Sequence, residues 1–358
     1  MSTGNEKKVV FFGCPLDCDE KYDSIQEKTW GEWAAGQSDD PKDEVLSYIS
    51  KEVAKDLWTE LESIDVPAWL RPRPQGVDLS KLTAEHFVSY MDQEGCRAVA
   101  DEVAQLVKND VLPDIPCMVA VDHSLTGGAF KALAEYYGQE NIALVVLDSH
   151  TDAIPMSALA QAIQYDMEVN PESVHDPNDP LLYNRTDSYN ASSFIYHLLQ
   201  EQIVSPQNLY LLGVSDFPEK KSLRIKDPRI ENYVRTFTNL KNRGVKIVSK
   251  KECKMNPARL KSLFRGLKTE YVYVSIDMDI GAQSAVQGVR FRNWQGLQEK
   301  QIYKVIEALR TVFSRGVQLA GLDVTEFNPR RAGGIFSATK DETYRIAANI
   351  IQKVAFAE

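Results

Sequence analysis

Residues 142–155 read IALVVLDSHTDAIP, and this stretch decides the fold. The opening IALVVL is apolar without alternation, as expected of a strand covered on both faces, the usual condition of a parallel sheet. Directly after it, Asp148, His150 and Asp152 fall at alternate positions. In extended chain such side chains share a face, so three ligand-type groups leave the carboxyl end of one strand together.

The same grammar recurs on either side. Short apolar runs at 9–12, 117–121, 209–212, 245–248, 271–276 and 317–322 alternate with stretches of helical spacing at 43–61, 86–107, 128–137, 192–202, 299–313 and 341–354. Repeated βα units of this kind predict a three-layer α/β/α sandwich around a mainly parallel sheet. Two regions break the rhythm: 30–75, ending in the Pro-punctuated PAWLRPRPQG, and 156–189, containing NPESVHDPNDP. Neither holds enough periodic apolar sequence for a core of its own, so the expectation is one domain over 1–358 carrying two insertions.

Composition narrows the function. Against 41 Lys and Arg stand 51 Asp and Glu, a net charge of −10 with the acidic residues spread along the chain, which argues against a nucleic-acid partner. No apolar run is long enough to span a bilayer, and the start, MSTGNEKK, lacks the pattern of a signal peptide. Five scattered cysteines fit reduced thiols, and a cytoplasmic location is expected. Cys14 and Cys18 have no second Cys/His pair at zinc spacing and read as ordinary thiols.

Two further strand ends carry candidate ligands. YVYVSIDMDIG (271–281) ends in Asp277 and Asp279, again two apart, and CMVAVDHSLTGG (117–128) supplies Asp122 and His123 as it passes into a Gly-opened helix. A lone D-x-D most often caps a helix or shapes a turn. Five carboxylates at three apolar strand ends are different: left bare they repel one another, and divalent cations offset that cost. Sites in open α/β sheets form beyond the carboxyl ends of the strands, where both main clusters lie. Oxygen and imidazole donors without thiolate suit Mn²⁺ and also admit Ni²⁺, Co²⁺ or Fe²⁺.

VDHSLTGG, LDSHTDAIP, SIDMDI and GLDVTEFNP resemble, in order and approximate spacing, the G-G-D-H-S, D-A-H-x-D, S-x-D-x-D and x-E-x-N-P motifs of the arginase/agmatinase (ureohydrolase) family, with a weaker echo in FFGCPLD near the start. The resemblance implies an arginase-like fold and two metal ions. His123, Asp148, Asp152 and Asp277 would hold one ion, and Asp148, His150, Asp277 and Asp279 the other. It makes Asp122 the acidic residue that orients the histidine ligand and Glu326 the carboxylate that grips a guanidinium. A hydroxide held between the ions would attack the guanidino carbon while Asp152 relays a proton to the leaving amine, releasing urea. A homo-oligomer, trimeric or hexameric, is also implied.

Departures from the family pattern point to substrate. The position of the family's shuttling histidine is Asn190, which does not titrate, and His175 in the preceding segment is the one replacement on offer beside a plain loop reading. Pro218 stands where arginases place an acidic residue for the α-amino group, which counts against L-arginine. The loop IGAQSAVQGVRFRNWQG (280–296) brings Arg290 and Arg292 to the expected mouth, where they would favour an anionic far end on a small guanidino substrate, or else pair with acidic residues and close the loop. Rival expectations are a formimidoylglutamase-like or amide hydrolase on the same scaffold, a one-metal deacetylase, and a catalytically silent homologue.

Overall fold

Six apolar runs of six to eight residues, with two shorter segments at the edges, give the eight strands of one sheet. In the computed structural model, which describes residues 7–30, 38–173, 175, 182, 185–218, 220–336 and 339–356, the strands are β1 (Val9–Cys14), β2 (Trp58–Glu60), β3 (Ile115–Ala120), β4 (Ile142–Leu147), β5 (Leu209–Val214), β6 (Lys246–Ser249), β7 (Tyr271–Asp277) and β8 (Gln318–Thr325). Their order is β2-β1-β3-β8-β7-β4-β5-β6, and every neighbouring pair is parallel. The two edges are short strands, β2 and β6, which limits pairing with other chains.

Alternation along each strand sorts the core into two halves. Ile142, Leu144 and Val146 of β4 face one cluster, and Ala143, Val145 and Leu147 face the other. The first cluster is closed by α3 (Ala84–Asp92), α4 (Gly95–Leu106), α5 (Leu125–Tyr137), α6 (Met156–Val169), α7 (Phe194–Gln200) and α8 (Pro228–Asn242). The second is closed by α2 (Pro41–Glu52), α9 (Lys250–Met255), α10 (Pro257–Arg265), α11 (Glu299–Arg310) and α12 (Thr343–Ile351). The fold is therefore the expected three-layer α/β/α sandwich. α1 (Tyr22–Trp30) lies outside the layers, with Ile25 against the first cluster.

Several boundaries differ from the sequence expectation, each for a tertiary reason. The helix expected at 43–61 stops at Glu52, and the chain returns as β2, where Trp58 pairs in register with Val9 and sets its ring edge-on to Phe11 at 5.5 Å. Part of the supposed first insertion is thus the edge of the main sheet. The helix expected at 86–107 is two helices, broken at Glu94, whose φ is 63°. Residues 156–169 are helix and not loop: α6 buries Ala158 and Ala160, an alanine-lined face that a search for large apolar residues passes over. Part of the rest of that segment lies outside the described residues. Among the described residues no helix is long and apolar enough to cross a membrane.

For the site, the decisive feature is that β3, β8, β7 and β4 are consecutive in the sheet. Leu147 pairs with Ile276, so Asp148 and Asp277, one residue further on each strand, emerge side by side. Gly213 lets β5 approach: the strand bulges there at φ 101°, and a Cβ would meet the Asp148 carbonyl oxygen at 2.7 Å.

Candidate metal centre

The ends of the four central strands deliver buried polar groups to one point. From β3 comes His123, from β4 Asp148, His150 and Asp152, from β7 Asp277 and Asp279, and from β8 Glu326; His150 alone shows a substantial edge to solvent, its side chain being 39 % exposed. Around His123 Nδ1 stand Asp152 Oδ2 at 2.9 Å, Asp148 Oδ2 at 3.4 Å and Asp277 Oδ2 at 3.5 Å. His150 Nδ1 faces Asp279 Oδ2 at 3.1 Å and Asp148 Oδ1 at 3.5 Å. Asp148 therefore turns one oxygen toward each histidine, the disposition of a bridging ligand. Ligand atoms of Asp148, His150, Asp277 and Asp279, and separately of His123, Asp148 and Asp152, lie within 4.8 Å of one another.

Backbone amides fix the carboxylates. Asp148 Oδ1 accepts from the His150 N–H at 2.7 Å and Asp277 Oδ1 from the Asp279 N–H at 2.7 Å, which aims the other oxygen of each inward. Ser149 Oγ donates to Asp279 Oδ1 at 2.8 Å. Within the site, Asp152 at φ 47° and Glu326 at φ 63° hold left-handed backbone. Such strain persists only where surrounding bonds impose it. Here the Asp152 carbonyl receives the N–H groups of Ile195 and Tyr196, while the Glu326 N–H reaches Val121 O at 3.1 Å.

The donor set fits divalent cations. Among the described residues His123 Nδ1 and Asp148 Oδ2 find no hydrogen-bond partner, and they are buried polar atoms facing the cluster, a costly state unless a ligand completes them. Burial lowers the affinity of both imidazoles for protons, yet the adjoining carboxylates, Asp148 and Asp152 at His123, Asp279 and Asp148 at His150, outweigh it and hold both well above their ordinary range. Burial and the neighbouring carboxylates push Asp152 and Asp277 up, whereas Asp148, against the effect of burial, is held low by the two histidines. Protons thus stand in for positive charge that metal ions would otherwise supply.

A network absent from the sequence reading sets the His123 tautomer. Ser275 Oγ donates to Asp323 Oδ1 at 2.7 Å, so toward His123 Nε2, 3.0 Å away, it must accept. The Nε2 proton is thereby assigned and Nδ1 is left to bind metal. Asp323 also accepts from Tyr273 OH at 2.6 Å and Thr126 Oγ1 at 2.9 Å. Asp122, expected to orient His123, does something else. Its Oδ1 accepts from the N–H and Oγ of Ser124, the residue just before α5, and its Oδ2 meets Arg290. The signal for Asp323 was available: a carboxylate inside the apolar strand QLAGLDVT has to find buried partners.

With the geometry in place, comparison with known proteins supplies the class. The arginase family model matches residues 59–357. The chain belongs to the arginase family.

An arginase of Staphylococcus aureus (strain MRSA252) is 22 % identical over 261 residues, which cover 71 % of this chain and 75 % of that protein. Solved structures share the fold at lower identity. Formimidoylglutamase from Bacillus subtilis aligns with TM-score 0.57 and 18 % identity over 99 % of this chain and 88 % of its own. The agmatine ureohydrolase of Thermoplasma volcanium aligns with TM-score 0.52 and 19 % identity over 98 % and 89 %. Arginase-family members are hydrolases of carbon–nitrogen bonds in amidines, and membership makes this chain such an enzyme.

Against the arginase-family pattern, the remaining expected residues fall as follows. Glu326 Oε1 accepts from the His123 N–H at 3.0 Å and from Arg290 Nη1 at 3.0 Å. Burial pushes its carboxyl up to about 7, against the pull of Arg290. Arg290 is not at the mouth: its side chain is 8 % exposed and buried among acidic groups, because Asp17, Asp122 and Glu326 converge on it. Arg292 is exposed. At the rim Phe291 stands edge-on to His150 at 5.6 Å, with Lys21 Nζ 4.0 Å above its ring. Asn190 is buried, and both ends of its amide are engaged within its own loop, Nδ2 with Ser188 O and Oδ1 with the Ser192 N–H. It braces the start of α7, which sets Phe194 against the His123 ring at 4.9 Å. His175 lies on an exposed loop flanked by residues outside the description.

Proposed function

We propose that the chain hydrolyses a guanidino-type carbon–nitrogen bond in a small molecule, releasing urea, with two divalent ions held by His123, Asp148, Asp152 and Asp277 and by Asp148, His150, Asp277 and Asp279. The observation that carries the reading is Asp148 turned between two histidines, with Asp277 beside it. Manganese fits the oxygen and imidazole set first, with nickel, cobalt or iron as alternatives. Bound there, such ions supply an acidified water and a polarised amidine at neutral pH.

The chain's own residues supply the rest. Asp152, fixed by its strained backbone and 2.9 Å from His123, is placed to take a proton and return it to the leaving amine. Glu326 orients the amidine from the β8 side. Pro218, where an arginase carries an acidic residue, favours a substrate other than L-arginine. Lys21 at the rim, and the exposed Arg292 next to Phe291 in the chain, suit an anionic far end. Reduced, buried cysteines fit a cytoplasmic enzyme, and a homo-oligomer is proposed on the family resemblance alone.

A second reading, hydrolysis of a formimidoyl group, is favoured by one observation: Arg290 already occupies an oxygen of Glu326. Metal-loaded protein incubated with guanidino, ureido and formimino compounds separates the two. Urea from a guanidino compound is expected. Formamide or ammonia from a formimino compound, without urea from any guanidine, overturns the first reading.

A further inference from the structure

Loop 281–297 is fastened to the end of β8. The Arg290 N–H bonds the Glu326 carbonyl at 3.0 Å, Val289 bridges Phe327, and Leu297 bridges Gly281. From this anchor the Arg290 side chain runs inward to a set of acceptors that surrounds it. Nη1 reaches Glu326 Oε1 at 3.0 Å, Asp122 Oδ2 at 3.0 Å and Val121 O at 3.4 Å; Nη2 reaches Cys18 O at 2.8 Å; Nε faces Asp17 Oδ1 at 3.6 Å. Asp17 is shared with the buried Lys28, 3.0 Å away. The guanidinium is therefore locked by carboxylates from three separate segments and by two carbonyls.

The consequence falls on Glu326. Its Oε1 is filled twice over, by Arg290 and by the His123 N–H, and among the described residues no donor meets its Oε2. A carboxylate binds a guanidinium or amidinium most strongly as a fork, two parallel N–H bonds to its two oxygens. Here half of the fork is taken from inside the protein, and the resident cation also repels a second one beside it.

We propose that Arg290 determines specificity at this centre by holding one oxygen of Glu326 with the protein's own guanidinium, so that a substrate's amidine meets only the other oxygen. The identity of the substrate rests on the amidine reading above; the arrangement at Glu326 does not. Binding of the reacting head is weakened, and discrimination between substrates shifts to contacts at the far end. Arg290 thus has a role distinct from balancing buried charge.

Guanidinium ion is the probe, titrated at millimolar concentrations into the metal-loaded full chain by calorimetry. Arg290→Met fills the side-chain volume and frees both oxygens of Glu326. It is expected to bind guanidinium roughly tenfold more tightly than wild type, the worth of one added charge-assisted hydrogen bond. Adding Glu326→Gln to that variant should remove the gain, whereas Glu326→Gln alone should cost wild type much less. Equal effects of Glu326→Gln in both backgrounds overturn the proposal, because any gain in the methionine variant would then come from lost charge repulsion and not from a freed oxygen of Glu326. Should the methionine variant not fold, a crystal structure of wild type with guanidinium decides. One bond to Oε2 with Arg290 undisturbed is expected, and an ion forked across both oxygens with Arg290 displaced contradicts it. Neither measurement involves turnover, so failure to release urea would count against the amidine reading alone.

Discussion

The hydroxyl of Ser275 lies between the His123 ring and the Asp323 carboxylate, at 3.0 and 2.7 Å. A metal-bound imidazole is held in register by what its far nitrogen touches, and such partners typically govern affinity by roughly 10–100-fold. Ser275→Ala is accordingly expected to weaken metal binding within that range while the fold is kept, as measured by competition with a chelator. Unchanged affinity would mean that Asp323 acts on the strand and not on the ligand. The sequence presents Ser275 inside an S-x-D-x-D motif, but its contacts depend on β8, 48 residues away, delivering Asp323 to the same face.

At the level of elements, the position of His123 depends on how closely α5 packs on α4. A Cβ built on Gly128 would lie 1.8 Å from the Ala100 carbonyl oxygen, so the helices can only meet because that position has none. Gly128→Ala has to drive them apart, and the expected cost is about 3 kcal/mol, at the upper end for overpacking of a tight interior. Chemical denaturation measures it. A loss within about 0.5 kcal/mol, the range of ordinary surface changes, would show that α4 and α5 separate at little cost and do not depend on the glycine. The same helix shows why its start was misjudged. GlyGly reads as an opening, yet α5 begins at Leu125, and both glycines are already inside it, where close neighbours exclude side chains.

Across the whole molecule, what could be read in the sequence was whatever repeats within a strand or its end. β4, β7 and their alternating carboxylates are local patterns, so the sheet, its layers and the six ligand-type residues were legible. What depends on distant segments was not. Asp17, Asp122 and Glu326 meet around Arg290 only because the strand order brings β1, β3 and β8 together, and no spacing within loop 281–297 shows that its arginine turns inward. β2 was missed because three residues pair only through an edge contact with β1. Charge balance in the assembled centre gives a further prediction. In metal-free protein His123 and His150 have folded values raised above the ordinary 6.5, so the stability they contribute is complete below that pH and is lost as pH rises above it. Asp152 and Asp277, raised from 3.8, act in the same direction from lower pH, while the depressed Asp148 contributes fully throughout the neutral range. Metal ions replace those protons. The difference in Tm between metal-loaded and metal-stripped protein should therefore widen as pH is raised from about 6.5. A gap independent of pH would place metal binding away from these residues.

The central claim is that one shared cluster holds two ions, and metal content per chain tests it most directly. Gently purified wild type should carry about two divalent transition-metal ions per chain, as a two-metal site requires. Asp277 offers Oδ2 toward His123 and belongs with His150 and Asp279 to the second group, so Asp277→Ala should deplete both ions together. Retention of full metal by that folded variant, or wild type saturating at a single ion, would contradict the account.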